Sequence, residues 1–301
     1  MTLSFFQSTG RFWRGNLHTH STNSDGRLSP AAVCEEYRLA GYDFLVITDH
    51  FHDIFGFPLT DTTPYRTDGF TTIIGSELHT GTTELGDGWD ILGVGVPLDF
   101  ARPAQGETAG EIVRRALAEG AFIEAPHPNW CTLTEQDILS LGAIHAIEIF
   151  NGTCHDDNDR GDNSYIIDLL LARGYHYNLC AVDDAHLQPT RADFMKGWVC
   201  VKSEALHPGA LLTALKAGHY YSSTGPALVD MALSSDRKLT VRCSPVERVV
   251  VMGRLYPSKS VSGRGITTAE FDLSDFKSPY FRVVVRDEYG RRAYANPVWF
   301  D

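Results

Sequence analysis

Residues 29–50, SPAAVCEEYRLAGYDFLVITDH, hold the unit from which the fold can be read. Ser29 followed by Pro30 reads as a helix N-cap with proline in the first turn, and Gly41 reads as the stop. Val33, Tyr37 and Ala40 recur at i, i+4 and i+7, which predicts one buried stripe along that helix. The apolar run Phe44–Thr48 then reads as a strand, and it ends on Asp49 and His50. The same grammar repeats outward. Thr72–Gly75, Ile91–Val96, Ala121–Ala125, Ala146–Phe150 and Asn178–Val182 read as strands. Glu111–Glu119, Tyr165–Arg173 and Ala210–Ala217 read as helices, each followed by glycine. Strands and helices alternating over short connections predict an α/β fold with a mostly parallel sheet, open or closed into a barrel.

After about residue 226 the pattern changes. Lys238–Arg242, Arg248–Met252 and Tyr280–Arg286 are strand-like with no helical period between them, and Asp287–Gly290 reads as a hairpin turn into 291–300. The expected organisation is therefore an α/β domain over residues 1–225 and a small antiparallel β domain over 226–301.

Composition limits what such a chain can do. It has 301 residues, 43% apolar and 21% charged, which is ample for a core. Lys and Arg number 26 against 38 for Asp and Glu, a formal charge of −12. That balance argues against binding a nucleic-acid backbone or an anionic membrane surface, both of which need a basic face. No apolar run approaches the roughly 20 residues needed to cross a bilayer. The start, MTLSFFQSTGRFWRGN, lacks the basic and apolar pattern of a secretory signal. Cys34, Cys131, Cys154, Cys180, Cys200 and Cys243 are scattered without close pairing, which reads as reduced thiols in a cytoplasmic protein.

The informative pattern is where His, Asp and Glu fall. His18 and His20 follow Arg14–Leu17 two residues apart, a spacing that puts both imidazoles on one face of an extended chain. Asp25 follows in a polar turn, His50 after Phe44–Thr48, Glu77 after Ile73–Ser76 and His127 after Ile123–Pro126. Asp184 and His186 follow Leu179–Asp183, and Asp90 stands at the entrance to Ile91–Val96. In a parallel α/β barrel the strand ends open on one face, where active sites are built. Five imidazoles and four carboxylates form a nitrogen and oxygen donor set suited to Zn, Mn or Fe(II). Nine donors suffice for two or three ions, with Glu77 the natural bridge. Three divalent ions against four carboxylates would leave about +2, which favours an anionic substrate. A water on the metals beside Glu77 is the expected nucleophile, and Asp49 is expected to orient the His50 ring from behind.

These residues resemble a known family. Gly15–Gly26 (GNLHTHSTNSDG), Ile47–His50 (ITDH), Gly75–Glu77 (GSE), Pro126–Pro128 (PHP) and Asp183–His186 (DDAH) are similar to the motifs of the polymerase and histidinol phosphatase (PHP) metallohydrolases. The resemblance covers residues 14 to about 225. It implies a distorted (β/α)7 barrel and a two- or three-metal site that hydrolyses phosphate esters. By position, it implies His18, His20, Glu77 and Asp184 at a first metal. It likewise implies Glu77, Asp90 and His127 at a second, and Asp25, His50 and His186 at a third. Asp90 departs from the family, which usually has histidine there, and His79 is a potential substitute. Trp13–Asn16, Glu148–Asn151, Val182–His186, Gly197–Val199 and Tyr221–Pro226 are similar to a branch with a β-rich tail that includes carbaryl hydrolases.

Candidate substrate contacts are Asn151, His155 and Arg160 in the polar loop 151–164, Arg191 beyond His186, and His52 with Arg66 in the segment 51–71, a potential lid. The Asp/Asn run of 151–164 lacks the ligand spacing of a calcium loop. The expected function is hydrolysis of a small soluble phosphate monoester or cyclic diester. Carbamate or carboxylic-ester hydrolysis by the same cluster is the alternative, and a catalytically inactive metal-bound binding module is a second one. The oligomeric state is left open.

Overall fold

The computed structural model describes residues 3, 4, 6 and 9–300. Pro30–Leu39 is helical, with the Ser29 side chain accepting from the Ala32 N–H and with Val33, Cys34 and Tyr37 buried. Gly41 ends the helix at φ +80°, a left-handed conformation that side chains with a Cβ resist. The strand Phe44–Ile47 lies parallel between Arg11–Asn16 and Thr71–Thr82. Its approach to the first of these is close: a Cβ on Gly15 would meet the Phe44 ring at 2.2 Å.

From Thr71–Thr82 the pairing continues through Gly88–Val94, Phe122–Ala125, Ala146–Asn151 and Asn178–Val182. Beyond Val182 the chain meets the end of the first strand again. Thr19 and Ala185 form a parallel bridge, with the His20 N–H on the Ala185 carbonyl and the Asp184 N–H on the His18 carbonyl, both at 2.9 Å. This contact sets His18 and His20 beside Asp184 and His186.

The sheet is mixed, and a regular (β/α)7 alternation is not what forms. The connection from Ile47 to Thr71 carries only the short helical turns Asp53–Phe55 and Thr63–Tyr65. Residues 83–87 make a hairpin, so Gly88–Val94 runs antiparallel to both neighbours. The reason is length: a parallel crossover needs about a dozen residues, and five permit only a reversal. That reversal puts the start of Gly88–Val94, and hence Asp90, at the end of the sheet where the other strands finish.

The remainder is antiparallel and stays in register with the first half. Trp198–Ser203 pairs with both Arg11–Asn16 and Tyr220–Ser223, and the latter pairs with Arg292–Ala295. Lys238–Arg242 and Arg248–Met252 are two ends of a single strand, Lys238–Gly253, whose register shifts around Ser244 and Pro245. Proline donates no ladder hydrogen bond, so it sits at such an irregularity. Its partner Ser258–Asp272 escapes sequence reading because its first nine residues are mostly polar and exposed. Side-chain links tie the antiparallel half to the helix Ser164–Ala172 and its approach, among them Arg254 to the Ala172 carbonyl at 2.8 Å. Arg282 grips Asp168 with two hydrogen bonds of 2.9 and 2.8 Å, and Arg292 reaches Asp162 at 3.0 Å. No described helix is long and apolar enough to cross a membrane.

Candidate metal centre

The strand ends deliver the donors, and a buried scaffold fixes them. Asn16 holds the HTH stretch: its amide donates to the His18 carbonyl at 2.6 Å and its Oδ1 accepts from the Asp183 N–H at 3.0 Å. Glu148, fully buried, lies 2.8 Å from His18 Nδ1 and accepts the His127 N–H at 2.7 Å and the Asn151 amide at 2.9 Å. His127 and Asp184 adopt φ of +30° and +54°. Such backbone costs about 1–3 kcal/mol per residue outside glycine and persists where the surroundings impose it, commonly at functional sites.

All nine predicted metal donors converge. Glu77 is the centre: its carboxylate lies 3.5 Å from His18, 3.6 Å from His20, 2.7 Å from His50 and 3.2 Å from His127. Asp184 Oδ1 lies 3.2 Å from His18 and 3.0 Å from His20. Asp25 faces His20, His50 and His186 at 3.6, 3.4 and 3.2 Å. His20, Asp25, His50 and His186 form one ligand-spaced group, and His18, His20 and Glu77 another. Asp90 sits at the edge, 4.0 Å from His127.

The donor set fits divalent ions. His18 Nε2 is buried without a hydrogen bond and meets only carboxylates, Asp184 at 3.2 Å and Glu77 at 3.5 Å, although buried polar atoms normally find a hydrogen-bond partner. His18 presents the orphaned nitrogen while Glu148 fixes the other, the arrangement by which proteins aim a metal-ligating imidazole.

Without ions the centre holds protons. Burial opposes charge on His50, yet Glu77 and Asp25 outweigh it and push the imidazole up to about 11. His18 is raised against burial by Asp184, Glu77 and Glu148, and His186 by Asp25 and Asp184. Burial and the neighbouring His186 and His50 push His20 down to about 4, although Asp184 pulls the other way. Asp25 is held well below the usual range by His186 and His50, which override its partial burial.

The expected accessory residues divide. Asp49 does not orient His50. Its carboxylate accepts from the Ser21 N–H, the Ser21 and Ser24 hydroxyls and Thr60, so it fastens the turn that carries Asp25. Asn151 does not face substrate either: it is fully buried, caps the helix Gly152–Asn158, and donates to Glu148 and Asp184. His155 is exposed and packs on Phe150, and Arg160 reaches only the Trp130 carbonyl, at 3.5 Å. His52 sets its ring edge-on to His79 and caps the turn beginning at Asp53, and Arg66 donates to Thr72. Arg191 alone among these lines the cleft over the donors, with Trp130, Thr153 and Cys154 as further walls.

Sequence reading missed Glu148 and Cys131. Glu148 lies inside an apolar strand, where a lone carboxylate is itself a signal of an inward role. Cys131 Sγ lies 3.3 Å from His127 Nδ1 and 3.7 Å from Asp90, and its four-residue spacing from His127 is the legible clue. His79 bridges the other side, its Nδ1 2.8 Å from Asp90 and its Nε2 2.7 Å from His50.

Comparison with solved structures places this architecture. A two-domain protein from Bacteroides vulgatus ATCC 8482, containing a predicted PHP-like metal-dependent phosphoesterase, aligns over 97% of this chain and 98% of its own. The TM-score is 0.55 and the identity 17%. The fold of this chain is similar to that of that protein over nearly its whole length. This agrees with the resemblance carried by the motifs. A candidate metal-dependent phosphoesterase from Bifidobacterium adolescentis ATCC 15703 covers 58% of this chain and 89% of its own, at 12% identity and TM-score 0.43. An amidohydrolase from Chromobacterium violaceum with bound sulfate covers 54% and 84%, at 15% identity and TM-score 0.41. No family model and no curated protein matches the chain.

Proposed function

We propose that this chain is a metal-dependent phosphoesterase acting on a small soluble phosphate monoester or cyclic diester. The observation that carries the reading is the convergence of nine nitrogen and oxygen donors, eight lining one cleft and the ninth, His18, buried 3.5 Å from Glu77 with its Nε2 lacking a hydrogen bond. His18, His20, Glu77 and Asp184 would hold one ion, Glu77, Asp90 and His127 a second, and Asp25, His50 and His186 a third. When bound, such ions lower the pKa of a coordinated water and draw charge from the phosphoryl oxygens.

The protein's own groups supply the rest. Arg191 is the cation that borders the cleft and would take an oxygen of the ester. Glu148 and Asn151 keep His18, His127 and Asp184 aimed inward. Trp130 forms a wall that limits water, and the cleft volume of about 190 Å³ suits a phosphate group with its body extending outward. Residues 1–225 would then carry the chemistry, and 226–301 would buttress it.

Trp130 also favours a second reading. A flat aromatic wall and a single bordering cation would equally suit an aryl carbamate or carboxylic ester. The deciding experiment measures initial rates of the Mn(II)-loaded protein on nucleotide and sugar monophosphates, cyclic phosphodiesters and a naphthyl carbamate, with a chelated control. Chelator-sensitive phosphate release is the expected result. Carbamate cleavage without turnover of any phosphate overturns the phosphoesterase reading in favour of the second.

A further inference from the structure

One edge of the metal centre differs from the rest in its chemistry. Around Asp25, His20, His50 and His186 every donor is nitrogen or oxygen, but Asp90, His127 and Cys131 form a ligand-spaced group that contains sulfur. Cys131 is also the exception among the cysteines: Cys34, Cys154, Cys180, Cys200 and Cys243 are buried, whereas Cys131 is half-buried. The turn itself aims it. The Cys131 N–H bonds the His127 carbonyl at 3.3 Å, which brings the thiol to 3.3 Å from His127 Nδ1 and 3.7 Å from Asp90 Oδ2. His127 Nε2 in turn lies 3.2 Å from Glu77 Oε1.

We propose that Cys131 is a ligand: its thiolate completes the set formed by Glu77, Asp90 and His127, and this subsite takes zinc ahead of manganese. The inference rests on the metal-centre reading above and adds the identity of one ligand and the preference of one position. Thiolate is a soft donor that selects zinc, whereas an all-carboxylate and water set favours manganese. Binding releases the thiol proton to solvent, so occupancy of this subsite yields one more proton than an oxygen-only set would.

The probe is Co(II) added to the metal-free full chain, followed by absorption. A sulfur-to-cobalt charge-transfer band in the near ultraviolet is expected in the wild type and in Cys154→Ser. It is expected to vanish in Cys131→Ser, with the ions bound per chain falling by one or their Zn-over-Mn preference collapsing. In parallel, Zn(II) is expected to shield Cys131 from alkylation in the native protein. Circular dichroism of Cys131→Ser checks that the variant is folded, and the shielding experiment needs no variant. Cobalt binding without the band in the wild type, or a band that survives Cys131→Ser, overturns the proposal and leaves the metal centre standing. Failure of every variant and the wild type to bind cobalt, zinc or manganese overturns both.

Discussion

On the site face of the first half, His18, His20, Glu77, Glu148 and Asp184 are at most 4% exposed, and most of them meet one another. In the antiparallel half the interior is built instead from residues such as Leu239, Val241, Val249, Val251, Phe281, Val283 and Val285. Arg282 and Asp287 are the buried charges among its described residues, and each has an opposite charge beside it. Burying a charge is expensive unless it is paired or bound to metal, so the first half carries a standing penalty that the second avoids. One region gathers buried ionisable groups and the other gathers apolar side chains. Substitutions should therefore act on different observables in the two.

The largest effect is expected at the carboxylate shared by the donor groups. Glu77→Gln should lower chelator-sensitive turnover by about 10²–10³-fold and reduce metal content, with circular dichroism unchanged. The counterpart is Phe281→Ala, which should destabilise by about 3–5 kcal/mol in denaturant unfolding while metal content per folded chain is retained. A Glu77 variant that unfolds but keeps its ions, or a Phe281 variant that stays stable but loses them, would break the division.

A pH experiment sharpens it. In the metal-free protein the raised His50 pKa stabilises the fold fully below about pH 6.5, the unfolded value, and that contribution is lost as pH climbs toward about 11. Ions compete with the same proton, so metal affinity should rise with pH over this window and binding should release protons. Calorimetry in buffers of different ionisation enthalpy reads the count, and a pH-independent affinity from 6 to 8 would contradict the arrangement. The smallest effects concern the rim. Arg191→Ala should raise KM about tenfold, whereas His155→Ala and Arg160→Ala should change it less than about twofold, because their side chains lie outside the cleft.

Much of this was legible before any coordinates. The helix from Pro30 and the strand from Phe44 follow from a cap, a stripe and an apolar run, all local features. The nine candidate donors were legible because histidine and carboxylate recur at the ends of apolar runs, with Asp25 in a polar turn and Asp90 at the entrance to its run. Asp49 and Asn151 were misassigned because proximity in sequence says nothing about which way a polar side chain turns. Burial decided that: Asp49 satisfies the hydroxyls of Ser21, Ser24 and Thr60, and Asn151 satisfies Glu148.

The sequence by itself determined the helix from Pro30, the strand from Phe44, the change of pattern near residue 226 and the inventory of candidate nitrogen and oxygen donors, since these depend on periodicity and residue chemistry. Tertiary structure alone decided that the strand carrying Asp90 runs backward and that Glu148 stands behind His18. It also decided that Cys131 folds back over His127. Those are contacts across long stretches of chain, or turns too short to carry a pattern, and only packing selects among the ways such groups can meet.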